Sequence, residues 1–359
     1  MKRDEYCVKT DHTSRFTMKG PNTMRLKILH TIAVVFLVCS ILGWGQKRSE
    51  IRNPKPEIKN VKKIVVLNSD AVELICALGA EDRVVGITES VAQSGFFNRL
   101  KGRPIVGRWN NPNYERIAEV EPEVLIAYGR HPGPELEEKL EPLGIKVVRM
   151  DCYKIGSLCS EVKTLGIMLG KEKEADELVN FYQRYLRLVG ERVKQLKSEE
   201  RVRVYVESYS DFTSVARGSG GHQMCITAGG VNIAAEEPVP YPKISPEWVL
   251  EENPQVVVKA VTPSLAPCGY GVEDTKALTK LREKIMSRPG WPQTDAVKNS
   301  RVYLISADIW TGPQAFIGIA YMAKWLYPER FRDLHPESVH KEYLKRFFGL
   351  KYRGIFVWP

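Results

Sequence analysis

The chain has 359 residues, 43% of them apolar and 9% aromatic, enough to bury one large core or two ordinary ones, so a soluble two-domain body is expected. Its formal charge of +10 suggests nucleic acid until the charge is located: residues 1–60 hold 12 Lys and Arg against 5 Asp and Glu, and the remainder, at 41 against 38, is only +3. A body so nearly balanced, with no recognition motif, offers no electrostatic footprint for phosphate backbones, which argues against nucleic acid as a partner.

Residues 1–24 read as a polar extension, and Met24 would make a more ordinary start than Met1. Arg25 and Lys27 precede an apolar stretch, residues 28–45, broken by His30, Thr31 and Ser40 and followed by polar Gln46-Lys47-Arg48-Ser49. Basic residues ahead of such a run form the pattern of a signal peptide or membrane anchor, so an extracytoplasmic location is expected, in the periplasm or at the outer face of the cytoplasmic membrane, with export or anchoring through residues 25–45. Cys39 follows Phe36-Leu37-Val38 as in a lipoprotein site, but Val38 stands where a small residue is needed, which weighs against lipidation. Residues 46–60, with Asn53-Pro54-Lys55-Pro56, form a linker. The seven cysteines contain no C-x-x-C pair and declare no zinc or disulfide framework; Cys152 and Cys159 are expected as buried free thiols in a helix, with a local pair as the alternative.

From Val61 onwards strands and helices alternate. Lys63-Ile64-Val65-Val66-Leu67 is a short apolar run, Asn68-Ser69-Asp70 is turn and cap chemistry, and residues 71–78 have helical spacing that ends at Gly79. Strands are expected again at Arg83-Val84-Val85-Gly86-Ile87, Val124-Leu125-Ile126-Ala127 and Ile145-Lys146-Val147-Val148, the signature of a parallel sheet covered by helices over residues 61–170. Residues 171–198 are read as a connecting helix: the stretch Glu172 to Leu196 places Leu178, Phe181, Tyr182, Tyr185, Leu188, Val189, Val193 and Leu196 at helical spacing over roughly 25 residues, about 37 Å. The alternation resumes over residues 199–359, with strands at Val202-Arg203-Val204-Tyr205-Val206, Gln255-Val256-Val257-Val258 and Val302-Tyr303-Leu304-Ile305, a helix over 315–327 and a final amphipathic segment over 338–348. The expected fold is α/β: two Rossmann-like lobes with mostly parallel sheets, joined by a long rigid helix, with a ligand cleft between them.

One unit occurs in both halves. Residues 113–126 align without a gap to residues 245–258: Asn113 or Ser245 caps a helix, Glu115 or Glu247 takes its second position, and Pro122 or Pro254 stops the chain before a strand. Read from the residues alone, each glutamate complements its helix dipole, worth about 0.3–1 kcal/mol.

The ordered set of these segments, together with Glu73, Ala77-Leu78-Gly79, Val106-Gly107, Leu143-Gly144-Ile145, Leu165-Gly166 and Ala228-Gly229-Gly230-Val231-Asn232, resembles the solute-binding proteins of iron-siderophore, haem and cobalamin ABC importers. The resemblance covers residues 61–350. It implies a monomeric binder without a cofactor of its own, whose ligand carries iron or cobalt, working with an ABC permease and its ATPase subunits. It also implies that Glu115 and Glu247 dock on permease arginines. Ligands of such folds lie where loops converge at strand ends. The candidates there are Asn68, Ser69, Arg108, Trp109, Tyr128, Arg130 and His131 in one lobe, and Tyr209, Arg217, His222, Tyr241 and Trp310 in the other. Flat aromatics suit a macrocycle or catecholate face, and guanidinium groups suit its carboxylates. His131 or Tyr128 is a candidate haem-iron ligand, whereas a bare-metal cage is disfavoured because His131 and His222 are the only histidines between the apolar segment and Asp333.

An enzyme would need a nucleophile with its base, a cofactor loop or a metal cluster. The chain has no G-x-S-x-G, no Walker loop and no G-x-G-x-x-G after its first strand; Gly218-Ser219-Gly220-Gly221 reads as a flexible rim. A nitrogenase- or chelatase-like enzyme and an anchored surface scaffold are the alternatives to a binder.

Overall fold

The computed structural model describes residues 58–359. The extension 1–24 and the segment 25–45, with Cys39, lie outside the described residues. Ile64–Val66 (β1) is β-branched throughout and buried on both faces, the composition of an interior parallel strand. With Val84–Ile87 (β2), Val124–Ala127 (β3) and Lys146–Arg149 (β4) it makes a parallel sheet in the order β2-β1-β3-β4. A second sheet is formed by Arg203–Glu207 (β5), Val231–Asn232 (β6), Val256–Val261 (β7), Val302–Ser306 (β8) and Val357–Trp358 (β9). Its order is β9-β8-β7-β5-β6, and only the β8–β9 pair is antiparallel. The α/β class expected from the alternation of segments is borne out.

Strand periodicity divides the packing. Ile64, Val66, Ile126 and Val148 of the first sheet face the same core as Val204, Val206, Val258 and Ile305 of the second. The alternate residues face outward clusters, Val65, Leu67 and Leu125 in one and Tyr205, Val257 and Leu304 in the other.

The first sheet's helices include Ser69–Ala77 (α1), Tyr114–Glu119 (α2) and Ile155–Leu169 (α3). Gly170, in left-handed backbone at φ 60°, ends α3 and lets Glu172–Lys194 (α4) start at a new angle. Along α4 the residues Leu178, Phe181, Tyr182, Tyr185, Val189 and Val193 form a buried stripe. The later helices that matter for the site are Gly220–Thr227 (α5), Pro246–Glu252 (α6), Ala315–Leu326 (α7) and Pro336–Tyr343 (α8).

The chain end returns to the first half of the molecule. α8 widens into a π turn over Leu344–Phe348, which turns Tyr343, Leu344 and Phe348 inward together, a spacing that an α-helical pattern over 338–348 does not anticipate. Tyr343 donates to Glu73 Oε1 on α1 at 2.8 Å and meets the Tyr182 hydroxyl of α4 at 3.3 Å, while Arg99 donates to the Phe348 carbonyl at 2.8 Å. The two buried tyrosine bonds tie the second sheet's last helix to the first sheet's first helix and to α4.

Two local expectations are corrected. The glycine run at 218–221 is not a flexible rim but the packed start of α5: Ser219 Oγ accepts from the His222 amide at 3.2 Å, and a Cβ on Gly221 would overlap the Trp310 ring. Gly221→Val is therefore expected to cost about 1–3 kcal/mol in urea unfolding, as overpacking of a filled site does. Cys152 is a buried free thiol, but it precedes α3 in left-handed backbone at φ 57° rather than lying in a helix; Cys159, in α3, is also free.

Candidate ligand-binding site

Both sheets reverse their strand order once, between β1 and β3 in the first and between β5 and β7 in the second. Loops diverge at such points and leave a crevice at the carboxyl ends of the strands. Ser69, Asp70 and Tyr128 stand at the first reversal and Tyr209 at the second.

Asn68 closes β1 and is fully buried. Its Oδ1 accepts from the amides of Asp70 and Ala71 at 2.9 and 3.2 Å, and its Nδ2 donates to the carbonyls of Met150 and Asp151 at 2.6 and 3.3 Å. All its hydrogen-bonding capacity is spent on capping α1 and tying it to the end of β4, so Asn68 is a structural residue and not a ligand contact. Ser69 differs: its hydroxyl lies 3.2 Å from that of Tyr128, which donates to Asp70 Oδ2 at 3.0 Å. Burial pushes the Asp70 carboxyl up to about 6, against the opposing effect of the Tyr128 bond.

An aromatic wall continues from Tyr128. Trp109, 41% exposed, meets Tyr128 edge-on at 5.8 Å and His131 edge-on at 5.9 Å, and Tyr128 lies 6.3 Å from Tyr153. Arg108, Arg130 and His131 are exposed in the same loops. Tyr153 is a cleft residue missed in the sequence, although an aromatic just after a strand was signal enough to include it.

Across the cleft, Tyr209 and Tyr241 are 40% and 54% exposed. Burial pushes the Tyr209 phenol up to about 12, reinforced by Tyr241 and by the carboxylates of Asp70 and Asp308. Burial and Asp151 push the Tyr153 phenol of the first lobe up, and Tyr241 adds to that shift from the second. Gly312, in left-handed backbone at φ 82°, comes so near Asp70 that a Cβ there would lie 2.5 Å from Oδ1. These residues bring the two halves together around five exposed or half-buried aromatic side chains.

Three sequence candidates stand differently. Trp310 is buried under Gly221 and belongs to the core, not the cleft face. His222 is buried with Nδ1 at 3.1 Å from Asn232 Nδ2, and burial lowers its pKa, so it serves the packing of α5. Arg217 is exposed but already paired with Glu236. Among the described residues no group of three or more His, Cys, Asp and Glu is arranged to hold a metal ion. A separate groove of about 640 Å³ is lined by Tyr303, Tyr321 and Trp325, but its cations are engaged with backbone: Arg301 with the carbonyls of Trp325 and Leu326, and Lys324 with that of Leu334. It lies away from both strand reversals, and the crevice between them is the better site.

Glu115 and Glu247 occupy matching places. α2 is capped by Asn113, whose side chain accepts from the Arg116 amide at 3.0 Å, and α6 by Ser245, whose side chain accepts from the Trp248 amide at 3.1 Å. Each glutamate is the second residue of its helix and is exposed.

Known proteins resemble this chain in sequence and fold. The YvrC protein of Bacillus subtilis, an uncharacterised ABC transporter substrate-binding lipoprotein, is 26% identical over 282 residues, which cover 77% of this chain and 83% of that one. A vitamin B12-binding protein of Salmonella typhimurium is 30% identical over 156 residues, 43% of this chain and 58% of its own. The molybdate-bound MolA structure from Haemophilus influenzae superposes with a TM-score of 0.67 at 21% identity, covering 82% of this chain and 95% of that one. Residues 64–309, from β1 to just past β8, match the periplasmic binding protein family, and the chain belongs to that family.

Proposed function

We propose that this protein is the substrate-binding subunit of an ABC importer, capturing an iron chelate or a corrinoid and handing it to a membrane permease. The observation that carries the reading is the crevice walled by Trp109, Tyr128 and Tyr153 on one side and Tyr209 and Tyr241 on the other, a surface suited to a flat macrocycle or an aromatic chelate. Arg108 and Arg130 at its edge suit peripheral carboxylates. The B12-binding relative supports a corrinoid, and native mass and absorbance of the protein purified from its own cells separate corrinoid, haem, siderophore and oxyanion.

Capture precedes docking. Ser69, Arg108, Trp109, Tyr128, Arg130, His131, Tyr209 and Tyr241 contact the ligand, and the lobes close over it by a small motion, because α4 and the buried Tyr343–Glu73 bond resist hinging. Glu115 and Glu247 then engage arginines of the permease at two points held at a set spacing. ATP is hydrolysed by partner subunits, with no chemical step on this chain. Residues 25–45 export or anchor the protein; among the described residues no helix is long and apolar enough to cross a membrane.

In cells whose only importer for the ligand contains this subunit, the Glu115→Ala, Glu247→Ala double variant is expected to lose at least nine-tenths of uptake, about tenfold, while its ligand affinity stays unchanged. Uptake at the unsubstituted rate would remove the docking assignment.

A further inference from the structure

The loop 128–133, which leaves β3, carries three of the proposed ligand contacts, Tyr128, Arg130 and His131. Arg149 is the last residue of β4 and pairs in register with Ala127, the last residue of β3, so it stands beside the point where the chain enters that loop. Strand alternation puts it on the same face as Val147, the face covered by Leu136 and Leu140 of the helix Glu135–Leu140.

A guanidinium has five N–H donors in one plane, and Arg149 spends all of them here. Nε and Nη2 form a fork on Glu137, at 2.7 Å to Oε1 and 2.6 Å to Oε2. Nη1 donates to the carbonyls of Tyr128 and Pro132 at 3.1 and 2.6 Å, and Nη2 donates to that of Gly133 at 2.9 Å. One side chain thus ties the first residue of the loop to its last two, and Glu137 fixes the plane of the tie. The Gly129 amide is held as well, by Asp151 Oδ1 at 3.1 Å, and a Cβ on Gly129 would lie 2.8 Å from that oxygen. Tyr128 is therefore anchored at both ends, by its carbonyl on Arg149 and by its hydroxyl on Asp70 at 3.0 Å. The crown of the loop is left with Arg130 and His131, both exposed, whose side chains make no hydrogen bond or ion pair among the described residues.

We propose that Arg149 is the positioning residue of the ligand-binding loop: it touches no ligand, and by tying both ends of the loop together it holds Tyr128, Arg130 and His131 in the arrangement that captures one. The Arg149 side chain is 20% exposed, so without it the three carbonyls turn to water, and the loop gains conformers while the fold persists. Apparent affinity then falls with the fraction of loops in the competent arrangement, and the loss lies in the association rate, because a bound ligand still meets the same groups. Removing a group that touches the ligand acts mainly on dissociation instead. That Arg149 serves capture rests on the proposed binding function; that it fixes the loop does not.

Arg149→Ala in the full chain tests this with two readouts. Without ligand, the amides of Gly129, Arg130, His131 and Gly133 are expected to exchange hydrogen about tenfold faster, with β3 and β4 unchanged. With haemin and cyanocobalamin as probes, followed by stopped-flow absorbance, the association rate is expected to fall about tenfold and the dissociation rate to stay within about twofold. Arg149→Lys keeps the charge but cannot fork onto Glu137 and reach three carbonyls at once, so it is expected to recover little of either loss, and it carries the same test should the alanine variant not fold. Unchanged exchange in the loop, an unchanged association rate, or a loss found in the dissociation rate would each overturn the positioning role. An unsubstituted protein that binds neither probe would overturn the iron-chelate or corrinoid reading instead, and the loop's exchange would then support or overturn the tie by itself.

Discussion

Arg288→Ala is expected to destabilise the protein by about 3–5 kcal/mol, because it removes the forked cation from a buried carboxylate. Glu207, 1% exposed at the end of β5, accepts from Arg288 Nη1 and Nη2 at 2.8 and 2.9 Å, from the Tyr205 hydroxyl at 3.1 Å and from the Phe212 amide at 3.0 Å. Lys259 Nζ, fully buried, lies 3.0 Å away, and Arg288 also donates to Asp211 at 2.9 Å. Arg288 and Lys259 face the two anions, the more exposed Lys284 lies 3.7 Å from Asp211, and the guanidinium stacks over Phe212 and Trp291 at 4.4 and 4.7 Å. Alanine removes the fork, the stacking and one cation together. Arg288→Lys keeps the charge but not the fork and is expected to recover less than half of the loss. Urea unfolding of both variants checks this, and a cost under about 1 kcal/mol for alanine would mean that water reaches Glu207 freely. The same cluster holds the turn 208–213 that presents Tyr209 to the cleft, so the alanine variant is also expected to weaken ligand binding.

The second large effect is on the pH dependence of stability. Burial pushes Glu73 up to about 8 from an ordinary 4.5, with the Tyr343 and Gln314 contacts opposing the shift and the Asp70 and Asp308 charges adding to it. A carboxyl that holds its proton more tightly when folded contributes no penalty below its unfolded value. Stability then falls as pH rises through the window from 4.5 to 8 and levels off above it, by roughly 3–5 kcal/mol in all. Asp70 acts with the same sign but only up to about 6. The slope between pH 6 and pH 8 therefore belongs mainly to Glu73, and Glu73→Gln, which keeps the side-chain volume, is expected to flatten it and to leave the variant the more stable protein at pH 8. Unfolding free energies at four or five pH values decide the matter; an unchanged slope in the variant would assign it to other groups.

Much of this architecture was legible before any coordinates, and for a physical reason. Runs such as Val256-Val257-Val258 are β-branched and apolar on both faces, which suits only a strand covered on both sides, and the stripe on α4 repeats at helical spacing over its whole length. Capping residues placed the starts of α2 and α6, and with them the matched positions of Glu115 and Glu247. The site was legible only in part. Position after strand ends drew attention to Trp109, Tyr128, Tyr209 and Tyr241, but the same rule picked Asn68 and Trp310, whose side chains turn to a cap and to the core. Residue type and position after a strand do not determine which way a side chain faces.

What the sequence by itself determined is the local order: which segments are strands, where helices begin, and that two similar halves flank one long helix. These follow from interactions within a few residues, periodicity, caps and proline stops, which every stretch of chain carries in itself. Only the tertiary structure decided the pairings between distant residues: Tyr343 with Glu73, Arg288 with Glu207, and Gly312 against Asp70. Each joins residues 81 to 270 positions apart, and the energy of such contacts depends on burial and on the removal of water, which no short stretch of sequence expresses.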